Sequence, residues 1–232
     1  MMSLKGKVAI LTGAGKGIGR SIALSFAQEG VDVVLAARTR SDLDSVAKEV
    51  QDRGGAALVV PTDVSDEQHV ARLIASTVER FGKIDILVNN AGVGVFEKVV
   101  DLRPDDFDRM WEVNVRGAYL CSRAALPYMM KQNSGVIVNV ASLAGKNAFV
   151  GGAGYAATKW ALRGFSQCMM LEVREHNIRN ITVCPGSVDT KFRGKIKPRA
   201  LQAQDVADTV LFAVKLPGRA MASEIDLRPT IP

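Results

Sequence analysis

A tyrosine and a lysine spaced four residues apart give this sequence its clearest chemical signal. Tyr155 and Lys159 fall in a predicted helix over 155–176, and their spacing places the phenol and the ammonium on one helix face. A phenol ordinarily has a pKa of about 10, and a nearby positive charge favours the phenolate. Such a pair suits general acid and base chemistry on a carbonyl or an alcohol. The same spacing occurs by chance on surface helices, but here it follows Ser142, which ends a predicted strand over 135–141.

A run of glycines near the N-terminus predicts an anion-binding turn. The run joins a predicted strand over 7–12 to a predicted helix over 17–29. This order presents free backbone N–H groups and the positive end of a helix dipole to an anion. The spacing is not the common G-x-G-x-x-G fingerprint, and a turn that only packs helix against strand is the alternative. The residues are Thr12, Gly13, Gly15, Gly17 and Gly19.

Two basic side chains near this turn favour NADP over NAD. An NAD-binding unit usually carries an acidic residue just after its second strand, where the acid accepts a hydrogen bond from the ribose 2′-hydroxyl. The predicted second strand, 32–37, is followed by Arg38, and no acid occurs at 36–41. Lys16 lies inside the glycine run, so we expect two cations to converge where a 2′-phosphate would bind. The alternative is that both are solvated surface cations.

Polar residues follow the third and fourth predicted strands. Two asparagines that leave a buried strand are costly unless they are hydrogen-bonded. They therefore either pin neighbouring strands or line a cofactor, and the two roles can coexist. The residues after the two strands are Asp63, Val64, Asn89, Asn90, Ala91 and Gly92.

Composition fits a single α/β domain over 1–232, with 47% apolar and 23% charged residues. No run approaches the roughly 20 apolar residues that span a membrane. The net charge is +6, but basic residues alternate with acidic ones and no nucleic-acid motif is present, so we expect no nucleic-acid partner. Cys121, Cys168 and Cys184 predict buried free thiols in a cytoplasmic protein, and no metal-ligand spacing occurs.

Strand and helix patterns alternate along the chain, and the strands are near-continuous apolar runs. Such strands are buried on both faces, which predicts a parallel sheet between helix layers. We expect an α/β fold of Rossmann type, doubly wound, with seven parallel strands flanked by helices on both faces. The predicted strands are 7–12, 32–37, 56–60, 84–89, 135–141, 180–184 and 224–228. The predicted helices are 17–29, 41–53, 66–81, 104–132 with a break, 155–176 and 205–215.

Taken together, these motifs resemble those of the short-chain dehydrogenase/reductase family. The resemblance covers essentially the whole chain, from Lys5 to the last strand. Each motif is weak alone, but five of them agree in order. They are the glycine turn, Asp63, the Asn-Asn-Ala-Gly run, the set Ser142, Tyr155 and Lys159, and Pro185-Gly186-x-Val188-x-Thr190.

The resemblance implies an oxidoreductase that interconverts a carbonyl and an alcohol, with four catalytic residues. Tyr155 would give a proton to the substrate oxygen as hydride leaves the nicotinamide, and Ser142 would hold that oxygen by a hydrogen bond. Lys159 would bind the nicotinamide ribose and lower the pKa of Tyr155. Asn114 would hold a water that passes protons between Lys159 and solvent. The alternatives are a helix kink for Asn114 and a cap of the next turn for Ser142.

The resemblance also implies that NADP(H) lies along the carboxyl edge of the sheet. Val188 and Thr190 would orient the nicotinamide carboxamide, and Asp63 with Val64 would meet the adenine. The run after the fourth strand would meet the middle of the cofactor. The expected cofactor contacts are Gly13, Gly15, Lys16, Gly17, Ile18, Gly19, Arg38, Asp63, Val64, Asn90, Ala91, Gly92, Tyr155, Lys159, Pro185, Gly186, Val188 and Thr190.

The segment after Thr190 is short and basic. Only 191–204 separates it from the next predicted helix, which predicts a weakly covered site. One interpretation is a solvated loop. The other hypothesis is that the loop attracts an anionic substrate or an acidic carrier protein. Its basic residues are Lys191, Arg193, Lys195, Lys197 and Arg199.

Several functions stay open within and outside the enzyme class. The C-terminus lacks the Val-Asp-Gly-Gly of the commonest fatty-acid reductases, which weakens the assignment as a 3-oxoacyl carrier-protein reductase. A 3-hydroxy acid dehydrogenase or another small-carbonyl reductase is the alternative. A non-catalytic NADP-binding sensor is the alternative outside the class, although such proteins usually lose the tyrosine or the lysine. Epimerases and dehydratases of nucleotide sugars are normally longer.

The predicted helix over 155–176 is apolar nearly all round. One side of such a helix faces the sheet, and the other side needs a partner. We therefore expect a homodimer or homotetramer.

Overall fold

The computed structural model describes residues 1–190, 192 and 199–230. The strands are β1 (Val8–Thr12), β2 (Asp32–Ala37), β3 (Ala57–Pro61), β4 (Ile86–Asn89), β5 (Gly135–Val140), β6 (Ile178–Pro185) and β7 (Glu224–Leu227). They form one parallel sheet in the order β3-β2-β1-β4-β5-β6-β7. The seven-stranded, doubly wound Rossmann-type fold predicted from the sequence is confirmed.

Helices cover both faces of the sheet. Along β1, Ala9 and Leu11 pack into a core shared with α1, α2 and α7, whereas Val8 and Ile10 pack into a core shared with α3, α5 and α6. This two-sided burial explains why the strands read as continuous apolar runs. The helices are α1 (Gly17–Gln28), α2 (Arg40–Gln51), α3 (Glu67–Phe81), α4 (Pro104–Trp111), α5 (Gly117–Gln132), α6 (Ala153–Val173) and α7 (Ala203–Val214).

The strand order creates a crevice between β1 and β4. From β1 the chain winds outward to β3, and after crossing to β4 it winds outward to β7. The loops after β1 and β4 therefore leave the sheet in opposite directions. The carboxyl ends of these two strands bound an open crevice. Ligands of open α/β sheets bind at this switch point. The glycine turn follows β1 and the Asn-Asn-Ala-Gly run follows β4, so both line the crevice.

Two of the predicted helices contain a turn whose form was not predicted. The predicted break in the helix over 104–132 is a π-helical turn, Glu112–Arg116, between α4 and α5. The predicted helix over 155–176 begins two residues earlier, at Ala153, and its last turn, Arg174–His176, tightens to a 3₁₀ turn. Such tightening is common at helix ends.

Some expectations concern side chains outside the core. Cys121 and Cys184 are buried as predicted, but the prediction was wrong for Cys168, which is exposed. Burial raises the pKa of Cys121 to about 12. Four basic residues of the predicted loop, Lys191, Arg193, Lys195 and Lys197, lie outside the described residues.

In the described part of the chain, none of the helices combines the length and the apolar composition needed to cross a membrane.

Candidate active site

The glycine turn packs so closely at some of its glycines that a side chain there would collide with neighbouring atoms. Gly13 has a φ of 65°, and a Cβ there would lie 2.9 Å from Ala91 Cα. A Cβ on Gly19 would lie 2.2 Å from the Gly13 carbonyl oxygen. Gly17, with a φ of 52°, begins α1, and the residue before it, Lys16, makes no side-chain hydrogen bond to cap the helix. The first turn of α1 therefore directs its backbone N–H groups into the crevice without a side-chain cap.

Asn90 ties the two sides of the crevice together. Its Nδ2 donates to the carbonyl oxygens of Thr12 and Gly13, at 3.0 and 3.2 Å. The Thr12 hydroxyl in turn accepts from the backbone N–H groups of Asn90 and Ala91, each at 3.0 Å. The strand-pinning role expected for the asparagine pair is thus present. Ile18, the second residue of α1, is partly buried and packs against the core.

Asn89 fulfils the same role inside the sheet. Its Nδ2 donates to Asn139 on β5 at 2.9 Å and to Ser122 on α5 at 3.0 Å. Asn139 donates onward to Asn180 on β6 at 3.0 Å. This buried ladder couples three strands whose carboxyl ends carry the candidate site, so it fixes their relative register.

Lys159 is buried beside the ring of Tyr155. Its Nζ lies 5.7 Å from the ring centroid and donates to the Val140 carbonyl oxygen at 3.0 Å. Only 5% of Lys159 and 8% of Tyr155 are exposed to solvent. Burial lowers the pKa of Lys159 to about 8, because the charged amine has lost its hydration. At neutral pH the amine is still mostly protonated, so a positive charge stands next to the phenol.

Asn114 lies in the π-helical turn and holds the loop after β4. Its Oδ1 accepts from the Val93 N–H at 2.8 Å, and its Nδ2 donates to the Val93 carbonyl at 2.9 Å and to the Thr158 hydroxyl at 3.0 Å. A Cβ on Gly92 would lie 3.3 Å from Asn114 Oδ1 and 3.8 Å from Lys159 Nζ. The structure therefore brings Asn114 and Lys159 together at Gly92. Single π turns of this kind occur frequently at functional sites.

Ser142 caps the turn that follows β5. Its Oγ accepts from the Ala144 N–H at 3.1 Å and lies 3.4 Å from the Pro185 carbonyl oxygen. The capping role is therefore real. Ser142 follows the end of β5 and Pro185 ends β6, so the serine stands at the same sheet edge as the start of α6.

Asp63 and Val64, the residues predicted to meet the adenine, follow β3 at the carboxyl edge of the sheet, and Asp63 is engaged by protein groups. Its carboxylate accepts from the Ser65 hydroxyl at 2.7 Å and from the Arg109 guanidinium at 3.0 Å. Burial alone would raise the pKa of Asp63, but these contacts outweigh it and bring the pKa down to about 2. Val64 is buried against Gly117, where a Cβ would approach Val64 Cγ2 to 2.6 Å. Arg109, 46 residues from Asp63, was not predicted.

One of the two basic residues expected to bind a 2′-phosphate, Lys16, forms an ion pair that was not predicted from the sequence. Lys16 Nζ lies 2.9 Å from the carboxylate of Asp42, in the first turn of α2. The same aspartate faces Gly15, whose Cβ would lie 2.9 Å from Asp42 Cβ. Arg38 follows β2 and is exposed. No acid occurs at 36–41, but Asp42 is the next residue and pairs with Lys16. The expectation that the two cations stand there without an acid is thus corrected.

The motif after β6 closes over the glycine turn. Thr190 Cγ2 would lie 3.2 Å from a Cβ on Gly17, so Thr190 covers the first residue of α1. Val188 forms a parallel bridge with Leu201, which pins the two ends of the basic segment together. Before them, Gly186 donates its N–H to the Leu227 carbonyl oxygen at 2.8 Å, directly after Pro185 at the end of β6.

Arg163 anchors the helix that carries Tyr155 and Lys159. It donates twice to the Glu224 carboxylate of β7, at 2.9 and 3.1 Å, and to the Gly145 carbonyl at 2.6 Å. Such a bidentate pair fixes orientation as well as distance. The last strand therefore holds α6 in place from one side.

Two phenylalanines contact the Tyr155 ring and a third packs on one of them, and none of the three was predicted from the sequence. The rings of Phe96 and Phe192 lie 5.2 and 5.8 Å from the Tyr155 ring, and Phe149 lies 6.2 Å from Phe96. They come from the loops after β4, β6 and β5. Nothing in their local sequence marks them, because only the strand order brings these loops together.

The geometry thus assembles a tyrosine, a buried lysine, a serine and an asparagine beside a glycine-lined crevice. A family model described as short chain dehydrogenase matches residues 7–200. The chain belongs to the short-chain dehydrogenase family. An uncharacterized oxidoreductase of Staphylococcus aureus is 37% identical to this dehydrogenase over 232 residues, which cover 99% of this chain and 100% of the relative.

Solved structures of other short-chain dehydrogenases share the fold of this one. A metagenomic short-chain oxidoreductase in complex with NADP has a TM-score of 0.89 and 36% identity, with 100% of both chains covered. The 3-ketoacyl-(acyl-carrier-protein) reductase from Brucella melitensis, complexed with NADH, has a TM-score of 0.92 and 32% identity, with 98% of this chain and 99% of that chain covered.

Proposed function

We propose that this short-chain dehydrogenase is an NADP(H)-dependent enzyme that interconverts a carbonyl and an alcohol, with Tyr155 as acid and base. The observation that supports it most is the buried Lys159 ammonium, which lies 5.7 Å from the Tyr155 ring and donates to Val140 at the carboxyl end of β5. A structural lysine gains nothing from burial at that cost in hydration. A lysine that favours the phenolate of a tyrosine and binds a cofactor ribose would account for this burial.

The glycine turn fits a dinucleotide. A side chain at Gly13, Gly17 or Gly19 would crowd the atoms that neighbour the turn. The first turn of α1 has no side-chain cap, so its free N–H groups suit a pyrophosphate. Lys16 and Arg38 would hold a 2′-phosphate, which supports NADP(H) over NAD(H). Bound NADPH would supply the hydride. The neighbouring structures include complexes with either cofactor, so the preference rests on the two basic residues.

Each of the four predicted catalytic residues would have its own role in the proton transfer. In the reducing direction Tyr155 gives its proton to the substrate oxygen, and in the oxidising direction it takes the proton back. Ser142 donates a hydrogen bond to that oxygen. The Lys159 ammonium favours the phenolate and holds ribose hydroxyls, and the Asn114 turn holds a water that returns the proton from solvent.

A single hydroxyl deletion tests the proposal. Tyr155→Phe should abolish NADPH-dependent reduction of any carbonyl that the wild type accepts, while the dissociation constant for NADPH, measured by fluorescence titration, stays within about threefold. Tyr128→Phe, an exposed tyrosine on α5, is the matched control and should retain full activity. Reduction that survives in Tyr155→Phe would refute the assignment of the acid.

The wild-type protein in the same two assays separates the enzyme from its main rival. A non-catalytic NADP-binding sensor would bind NADPH and reduce none of a broad carbonyl panel. Within the enzyme class, a 3-hydroxy acid dehydrogenase and a 3-oxoacyl carrier-protein reductase are the alternatives, and the Brucella melitensis neighbour carries the latter name. Acetoacetate and an acyl-carrier-protein thioester in the panel distinguish them.

We also propose that two or four copies associate through α5 and α6. Trp160 and Leu171 on α6 are 52% and 64% exposed, and Tyr119 on α5 is 44% exposed, which is unusual for large apolar side chains on neighbouring helices. Light scattering at micromolar concentration should give a multiple of 24.9 kDa, and a mass of one chain would refute it. The three free cysteines support a reducing, cytoplasmic setting.

A further inference from the structure

An aromatic cluster made of Phe96, Phe149 and Phe192 lies beside Tyr155, and two of its rings contact the Tyr155 ring. Phe96 meets Tyr155 edge to face, with centroids 5.2 Å apart and planes at 60°. Phe192 lies 5.8 Å from Tyr155 and 6.3 Å from Phe96, the latter pair also edge to face. Phe149 extends the cluster outward from Phe96. These are the separations and angles that aromatic rings prefer.

Two glycines let these rings lie directly on the backbone. A Cβ on Gly94 would stand 3.0 Å from ring atoms of both Phe192 and Phe96. A Cβ on Gly152 would stand 2.5 Å from the Phe149 ring. The rings therefore pack closely against main chain that carries no side chain, and the cluster is a fitted part of the site.

The apolar character continues to the surface beside the site. Val150, next to Phe149, is 87% exposed, and Phe149 and Phe192 themselves are 37% and 44% exposed. Gly151 packs against the backbone of Phe96. Exposed apolar side chains that adjoin a buried acid–base pair indicate a surface that meets an apolar ligand.

From this arrangement we infer that the substrate is a carbonyl compound, or its alcohol, with an aromatic ring attached at or next to the reacting carbon. The inference rests on the proposed function of Tyr155. A substrate oxygen that reaches the Tyr155 hydroxyl brings its neighbouring atoms against Phe96 and Phe192. A planar ring there gains edge and face contacts with both side chains.

A small hydroxy acid or oxo acid fits these surroundings poorly. A carboxylate placed among the three rings would lose hydration and gain no hydrogen bond from them. The basic residues of the segment after Thr190 are, apart from Arg199, outside the described residues. An anionic substrate is therefore the competing outcome of the test.

The test compares two neutral ketones that differ only in aromaticity. Acetophenone and cyclohexyl methyl ketone have the same carbon skeleton, and kcat/KM with NADPH is measured for each. The ratio of the two values in a variant, divided by that in the wild type, cancels their intrinsic reactivities. Phe96→Leu and Phe192→Leu should each lower the ratio by roughly threefold to tenfold, the worth of one aromatic contact. Phe212→Leu, a half-exposed phenylalanine on α7, should leave it unchanged.

A second variant guards against misfolding of the leucine variants. Gly94→Ala adds a methyl group within 3.0 Å of two rings, and it should reduce kcat/KM for acetophenone several-fold more than for propanone, which carries no ring to place against them. An unchanged ratio of acetophenone to cyclohexyl methyl ketone in both leucine variants, together with equal losses for acetophenone and propanone in Gly94→Ala, would overturn the inference and leave the proposed function intact. Faster, salt-sensitive reduction of acetoacetate would overturn it in favour of an anionic substrate. A wild type that reduces no carbonyl at all would instead overturn the proposed function.

Discussion

Lys16 and Asp42 form an ion pair beside the glycine turn, with Nζ and Oδ2 2.9 Å apart. The pair joins the glycine turn to the first turn of α2. The Lys16 side chain is 70% exposed, so the pair itself contributes little to stability. The pair matters for anion binding, because an anion that approaches Lys16 must compete with the Asp42 carboxylate.

Removing the competing charge should strengthen NADPH binding. Asp42→Asn keeps the shape beside Gly15 and releases Lys16, so we expect the dissociation constant for NADPH to fall about twofold to fivefold at low salt, and less at high salt. Fluorescence titration at two ionic strengths measures it. Asp44→Asn, which removes the same charge from α2, is the control, and an equal gain in that variant would assign the effect to general electrostatics.

Reversing the charge of Arg38 should change the cofactor preference. A guanidinium–phosphate contact is a charge-assisted bond worth about 1.5–3 kcal/mol, so Arg38→Asp should lower the ratio of NADPH to NADH efficiency by roughly tenfold to a hundredfold. Steady-state kinetics with both cofactors measures the ratio. Arg53→Asp, just beyond the far end of α2, makes the same change in net charge and should leave the ratio unaltered. Preference for NADPH that persists in Arg38→Asp would place the 2′-phosphate elsewhere.

The closest approach in the glycine turn predicts a strict requirement for glycine. Gly19→Ala places a Cβ 2.2 Å from the Gly13 carbonyl and 2.6 Å from Asn90 Nδ2, so the turn must move. We expect a loss of about 1–3 kcal/mol in the free energy of unfolding, together with loss of NADPH binding. Gly218→Ala, with no atom within 4 Å of its Cβ, should change neither quantity. Normal NADPH affinity in Gly19→Ala would show that the turn does not hold the cofactor.

The elements could be predicted from the sequence because each is encoded locally. Apolar runs such as Val8–Thr12 mark strands, and the glycines at the start of α1 mark the turn between strand and helix. The Tyr155–Lys159 pair was visible because both residues belong to one helix. Even the break before α5 was predicted, although its π-helical form was not, because that form depends on Asn114 reaching Val93 and Thr158.

The relationships that escaped prediction join residues far apart in the chain. Arg109 reaches Asp63 across 46 residues, and the Phe192 ring meets Phe96 from a different strand end. The ring contact follows from the strand order, which places the ends of β4, β5 and β6 side by side. Asp42 escaped for a simpler reason, since the first turn of α2 carries it back to the glycine turn.

The burial of Lys159 gives a final prediction, in which activity and stability change in opposite directions. Burial lowers the pKa of this amine from 10.5 to about 8. Between those values the unfolded chain keeps the proton and the folded chain releases it, so this residue makes the free energy of unfolding rise with pH across that window. Below pH 8 both states are protonated, and the full cost of the buried charge is present.

Lys159→Met should therefore be inactive but more stable than the wild type at pH 7. The relieved burial cost, reduced by the lost hydrogen bond to Val140, leaves a gain of roughly 1–3 kcal/mol. Urea unfolding at equal protein concentration measures it, and the gain should shrink as the pH is raised from 8 to 10.5. Lys131→Met, an exposed lysine on α5, should show no such pH dependence. A Lys159→Met protein that is less stable than the wild type at pH 7 would mean that the contacts of the amine outweigh its desolvation.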